Sequence, residues 1–206
     1  MGLLTGNLSF RPYRVVEDLP PDFRTTFLEA IHRKSFRENL ESRSAEENVG
    51  WVNIADPDDT HLDLNKVLHD HYLVLALRID KKRVPAKLLA ILARRRMEEV
   101  REAKGLERLT ASHKREIKEA VLEDLLGRAL PSVAVYDMAW DINTGRVRIF
   151  ATSDTLCDLF RVFFEDTFKL HLLRTRPSTW LERAGLPDDV IQDRVLNIEP
   201  AHFQEV

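Results

Sequence analysis

The sequence predicts an α+β protein, with antiparallel or mixed sheets in two βαββ-like halves and a pair of long central helices. Three observations carry this. Tyr72–Asp80 is apolar at nearly every position up to Arg78, the mark of a central strand covered on both faces. Residues 133–142 and 146–152 flank Asn143-Thr144-Gly145, the pattern of a hairpin with glycine where φ is positive. Between these strands, Arg78–Arg128 reads as a strand end, a basic corner and two helices separated by a break at Gly105.

The elements follow in order. Residues 7–16 predict a first strand, and Pro12, which lacks a ladder N–H, assigns it to an edge or a bulge. Leu19-Pro20-Pro21-Asp22 opens a helix that puts Phe23, Phe27 and Ile31 on one face, as for a helix laid on a sheet. Residues 39–48 are polar and predict a surface connection, and 50–54 a short second strand. Asp56-Pro57-Asp58-Asp59 is a turn by composition. Its carboxylates, and the imidazoles of His61, His69 and His71, could be read as metal ligands, but the turn and the start of a buried strand are the preferred readings.

Pro85 suits the first turn of a helix whose Leu88, Leu89, Leu92 and Val100 form a stripe to be buried. Thr110 or Ser112 can cap the next helix, which should bury Ile117, Val121, Leu122 and Leu125 and end before Pro131. Tyr136, Met138 and Trp140 share one face of the hairpin. Asp154 is read as the cap of a helix with Leu156, Leu159, Phe160, Phe163, Phe164 and Phe168 in one stripe, and Cys157 beside it as an inert core thiol. Residues 171–173 predict a last strand and 179–184 a short helix, before an acidic tail. Residues 1–80 and 131–206 thus form an α/β body, and 81–130 a helical basic projection.

The chain has 206 residues, 32% of them charged, and a net charge of −3. No apolar run approaches the roughly 18 residues of a membrane helix, so the chain is expected to be soluble and to have no membrane partner. A single cysteine excludes an internal disulfide and suits a reducing, cytoplasmic compartment. The charge is unevenly placed. Residues 78–128 hold 15 Lys+Arg against 9 Asp+Glu, a local +6, while the remainder holds 16 against 25. An acidic chain with one basic segment does not bind polyanions everywhere, so a phosphate backbone would have to meet that segment. The candidate contacts are Lys81 and Lys82 at the corner, Lys87, Arg94 and Arg95 on the first helix, and Lys114, Arg115, Lys118 and Arg128 on the second. Lys87, Arg94 and Arg101 recur every seven residues and share a stripe, with Arg96 completing a run of three arginines.

Catalytic signals are poor. There is no glycine-rich phosphate loop, nucleophile elbow or zinc-ligand spacing. Glu116-Ile117-Lys118 has the carboxylate-x-Lys form of some nucleases but lies within a helix rather than on a strand. Binding without a cofactor is the expectation; a metal-dependent nuclease or a protein-interaction module are the alternatives.

Several residues then resemble the recombination-associated protein RdgC family. They are Gly50-Trp51-Val52, the strand ending near Arg78 with its basic corner and Pro85, the run Ser112–Leu130, and Trp140-Asp141 with Gly145. The resemblance spans residues 7–180 and is strongest from Lys114 to Leu130. It implies a cytoplasmic or nucleoid-associated protein that binds double-stranded DNA with little sequence preference, forms a ring-shaped dimer with a basic inner surface, and restrains RecA-driven recombination. Lys114, Lys118 and Arg128 match basic family positions, whereas Arg115 and Arg94–Arg96 are additions of this chain. Gly127 replaces a family proline and Leu130 a family aromatic. Typical members continue for a further domain, so a dimer through one interface or an open clamp stands beside the closed ring as an expectation.

Overall fold

The computed structural model describes residues 2–4, 9–38, 47–175 and 189. The elements are β1 (Arg11–Val15), α1 (Phe23–Arg33), β2 (Glu47–Val52), α2 (Leu64–Val67), β3 (Leu68–His69), β4 (Tyr72–Lys81), α3 (Ala86–Ala103), α4 (Ala111–Arg128), β5 (Ser132–Asp141), β6 (Arg146–Ile149), α5 (Asp154–Phe168) and β7 (Leu172–Arg174). The fold is α+β. Its seven strands form one antiparallel sheet in the order β2-β4-β5-β6-β1-β7, with β3 also paired to β4.

The two βαββ-like halves are therefore halves of the sequence and not of the space. β1 leaves its own half to lie between β6 and β7. This corrects the edge position that Pro12 suggested. Thr175 donates its N–H to the Pro12 carbonyl. In a hydrogen-bonded antiparallel pair Pro12 would return that bond, and β7 ends at Arg174, so the missing N–H costs the ladder nothing further along.

Alternation along the strands sets two unequal faces. Trp51, Leu73, Leu75, Leu77, Met138, Trp140, Val147, Ile149 and Tyr13 point to one face and meet Phe27 and Ile31 of α1 and Phe160, Phe164 and Phe168 of α5. Aromatic rings dominate this core: Trp140 lies 5.2–5.4 Å from Phe27, Phe164 and Phe168, mostly edge-on. The Trp51 indole donates to Thr167 Oγ1 at 3.0 Å, so its polar atom is satisfied at depth. The other face is covered over β2, β4 and β5: Phe36 packs with Val52 and Ala76, Phe150 and Ile54 pack with Val74 and Ala139, and the Leu3 N–H donates to the Asp137 carboxylate. This double coverage explains why Leu73 to Leu77 are all buried, as the unbroken apolar run predicted.

Local signals work as physics requires. Thr110 Oγ1 accepts from the His113 N–H and caps α4, and Gly105 and Gly145 take positive φ, +60° and +69°. Two readings are corrected. β2 begins at Glu47 and ends at Val52, because its register on β4 runs to Lys81. Asp154 is the first residue of α5, not its cap. Ser153 occupies that position, and the Asp154 carboxylate is drawn instead to Arg11. Of the connection predicted at 39–48, residues 47 and 48 belong to β2 and 39–46 lie outside the described residues, as does the helix predicted at 179–184.

Candidate nucleic-acid interface

β4 and β5 pair along their whole length, from Tyr72↔Asp141 to Lys81↔Ser132. The chain leaves this ladder at Lys81, runs through α3 and α4, and re-enters at Ser132. Each helix has 18 residues, about 27 Å of length. They pack on each other and touch the rest of the described chain only slightly.

The apolar stripes predicted for these helices are not buried. Ala93 and Leu126 are the only fully buried residues of the pair. Leu88 is 43% and Ile91 49% exposed, and Leu89, Leu92, Val100, Ile117, Val121, Leu122 and Leu125 are half-buried. The physical reason is simple. A helix needs covering neighbours on both sides of its stripe to bury it, and here each helix has one neighbour. A shallow groove remains between them, lined by Val100, Ile117, Ala120 and Val121, with Arg96, Glu116 and Asp124 at its rim.

The cations predicted for this region divide into three groups. Lys87, Arg94, Lys114 and Lys118 are exposed and have no charged or hydrogen-bonded partner among the described residues. Lys81, Arg95, Arg115 and Arg128 are paired with acids. Lys81 reaches Glu47 across the β2–β4 ladder at 2.8 Å, Arg95 faces Glu99 at 3.5 Å, Arg115 faces Glu119 at 2.9 Å, and Arg128 faces Asp124 at 2.9 Å. Glu119 also raises the pKa of Arg115 above its ordinary value. Lys82 serves the structure: it is half-buried and donates to the Leu126 carbonyl at 3.1 Å, capping the end of α4 against the root of β4. Lys82 therefore belongs to the hinge of the projection rather than to its exposed surface.

The paired arginines are still chemically available. Exposed i,i+4 pairs contribute about 0.3–0.5 kcal/mol, so a phosphate can displace the carboxylate. Arg101, Lys104 and Arg108 near the turn between the helices are also exposed, with no carboxylate partner among the described residues. They were absent from the candidate set, although the seven-residue recurrence Lys87, Arg94, Arg101 was the signal that could have included the first of them.

The carboxylates weighed as metal ligands have structural work. Asp58 accepts from Arg78 at 2.7 Å, and the same guanidinium engages Asp80 and stacks 4.3 Å above the Phe36 ring. Asp59 accepts from Lys66 at 2.7 Å and from Asn53, which hold its pKa down at about 2. Among the described residues no group of three or more His, Cys, Asp and Glu is placed to hold a metal ion. No described helix is long and apolar enough to cross a membrane.

No curated protein matches this chain. A family model described as "Putative exonuclease, RdgC" matches residues 8–190, a span that takes in the whole sheet, the helical pair and the basic segment between β4 and β5. The chain belongs to the RdgC family.

Proposed function

We propose that this protein binds duplex DNA through the helical projection, without reading sequence. The observation that carries the reading is the set of unpaired cations, Lys87, Arg94, Lys114 and Lys118, on two exposed helices of a chain that is acidic elsewhere. Lysine and arginine side chains neutralise phosphates and release counterions, so affinity arises with no base-reading element. Family membership supports a role in DNA metabolism, and the reading extends to modulation of RecA-dependent recombination by a nucleoid-associated, cytoplasmic homodimer. In this reading the protein acts by binding, and Asp58 and Asp59, the carboxylates weighed for a metal-dependent nuclease, serve as ion-pair partners of Arg78 and Lys66.

The test is a duplex gel shift across a salt series, with mass measured by light scattering on the same sample. Affinity should fall steeply and log-linearly with salt, and Lys114→Glu/Lys118→Glu should flatten that slope. Affinity indifferent to ionic strength would rule the mechanism out.

A second reading draws on the half-exposed apolar residues of α3 and α4. Leu88, Ile91 and the groove at Val100 and Ile117 suit a protein partner or a second copy of the chain. If the double charge reversal changes self-association and leaves DNA retention unaltered, this reading replaces the first.

A further inference from the structure

β7 closes one edge of the sheet with three residues, and of these Leu172 alone reaches the core. So short an edge strand has little of its own to hold it. The bonds from the Val16 N–H to the His171 carbonyl and from the Thr175 N–H to the Pro12 carbonyl fix its seat on β1. In a bonded antiparallel pair His171 would return its N–H to Val16. It gives that N–H to Glu17 Oε2 instead, at 2.9 Å, and its ring Nδ1 meets Glu17 Oε1. Register on Val15 turns the Leu172 N–H away from β1, and Glu165 of α5 accepts it at 3.0 Å. Two carboxylates from two elements thus hold two successive amides, with one imidazole beside them. α5 enters this junction through Lys169, whose φ of +58° ends the helix and turns the chain toward β7.

We propose that this junction is a proton-operated clasp: a charged His171 lets Glu17 and Glu165 pin β7 to the sheet, and a neutral one releases it from β1. The groups around the imidazole set the sign. Glu17, at the exit of β1, pairs with it directly, and Glu165 acts on it through space from α5. Asp18, beside Glu17, is exposed and has no partner among the described residues. The nearby cations are engaged with other acids: Arg161 with Glu165 at 3.7 Å, Lys169 with Asp166 at 2.7 Å and Arg174 with Asp154 at 3.7 Å. Glu17 first, and then Glu165, raise the His171 pKa above its ordinary value, and His171 in turn holds Glu17 below the usual carboxylate value. A raised folded pKa gives stability that is whole below the unfolded value, about 6.5, and is lost as pH rises through the folded one. The clasp therefore closes in mild acid and opens as pH climbs past the folded value of His171. Opening moves the sheet edge from β7 to β1 and frees the Val16 N–H. β6 and β1 separate β7 from β5, so the clasp stands apart from the helical projection and from the duplex reading.

The experiment is an NMR titration of the full chain from about pH 5.5 to 8.5, the range in which histidine changes charge. It follows the His171 imidazole, identified as the signal lost in His171→Gln, and the amide exchange of Val16 and Thr175, each divided by its intrinsic rate at that pH. His171 should titrate above the ordinary histidine value. Protection of Val16 and Thr175 should fall about threefold or more across that midpoint, while Val147, in the interior of the sheet, keeps its protection. Glu17→Gln, a change at an exposed side chain, should return the His171 midpoint to the ordinary value and abolish the step in protection. His171→Gln should leave Val16 and Thr175 weakly protected at every pH; if that variant does not fold, Glu17→Gln decides alone. A His171 midpoint at or below the ordinary value overturns the proposal, as does protection of Val16 and Thr175 that ignores pH. Equal loss at Val147 also overturns it, because the whole sheet would then be loosening rather than its edge.

Discussion

The sheet body and the helical projection obey different rules although both are well-formed secondary structure. In the body, α5 sinks Phe160, Phe164 and Phe168 into a core with Trp51 and Trp140, all at 5% exposure or less. In the projection, 36 helical residues fully bury Ala93 and Leu126. Stability is therefore concentrated in the body, and the projection depends on helix propensity, its caps and one helix–helix seam. The contrast suits a division of labour: a region with little packing to lose can carry many like charges, and a region with a dense core can anchor it.

The largest expected effect tests that contrast directly. Phe164→Ala removes a fully buried ring that touches Trp140, Phe160 and Phe168, and should cost about 3–5 kcal/mol. Val121→Ala, on the half-buried seam of α4, should cost about 1 kcal/mol or less. Urea unfolding of the two variants provides the measurement. Equal losses would mean that the projection is as tightly packed as the body, and the comparison above would be wrong.

A second substitution sharpens the boundary of the dense region. Gly50 of β2 faces the chain at Phe36, and a Cβ there would lie 2.3 Å from Phe36 Cα and 2.5 Å from its nitrogen. Both are backbone atoms, fixed by the bond from Phe36 N–H to the Trp51 carbonyl at 2.8 Å. Gly50→Ala must push that segment off the sheet edge and should cost about 1–3 kcal/mol. Gly127→Ala has open space around its Cβ and lies in helix α4, where alanine is favoured, so it should stabilise by a few tenths up to about 1 kcal/mol. Thermal melts of the pair should move in opposite directions.

These cases show what a sequence makes legible. The body could be read because its signals are local and redundant: an apolar run at 72–80, alternation at 133–142, and a phenylalanine stripe on α5. Each fixes an element whose two sides have only one satisfactory environment. The position of β1 could not be read, because Pro12 restricts a donor but does not say where β7 will end. The stripe of α3 was visible and its burial was not. Periodicity shows that Leu88 and Leu92 share a side of the helix, while burial depends on how many neighbours arrive there. The same limit applies to charge. Lys114 and Arg115 are adjacent and look alike in sequence, yet Arg115 finds Glu119 one turn on while Lys114 finds no acid among the described residues. Lys82 shows the reverse case, a cation whose partner is a helix-end carbonyl 44 residues away.

The smallest expected effect concerns pH, and it again separates body from projection. Asp59 and Asp166 are both held at about 2, Asp59 by Lys66 and Asn53, Asp166 by Lys169 and Lys34. Lys34 joins the end of α1 to α5 through Asp166, and Lys66 joins α2 to the 53–59 turn. A carboxylate whose folded pKa is depressed adds stability that is fully present above its unfolded pKa, near 3.9, and is lost as pH falls toward its folded one. Stability of the body should thus decline between about pH 4 and 2, and Asp59→Asn with Asp166→Asn should reduce that decline. Both carboxylates are exposed to solvent screening, so the change is small and best read as a shift in the acid midpoint followed by Trp51 and Trp140 fluorescence. In the projection, Glu99, Glu119 and Asp124 pair within their own helices and join no second element. Helical signal lost at the same acid midpoint as tryptophan fluorescence would mean that the projection melts with the body. Signal surviving below it, or fading before it, would mark the projection as an independent cooperative unit.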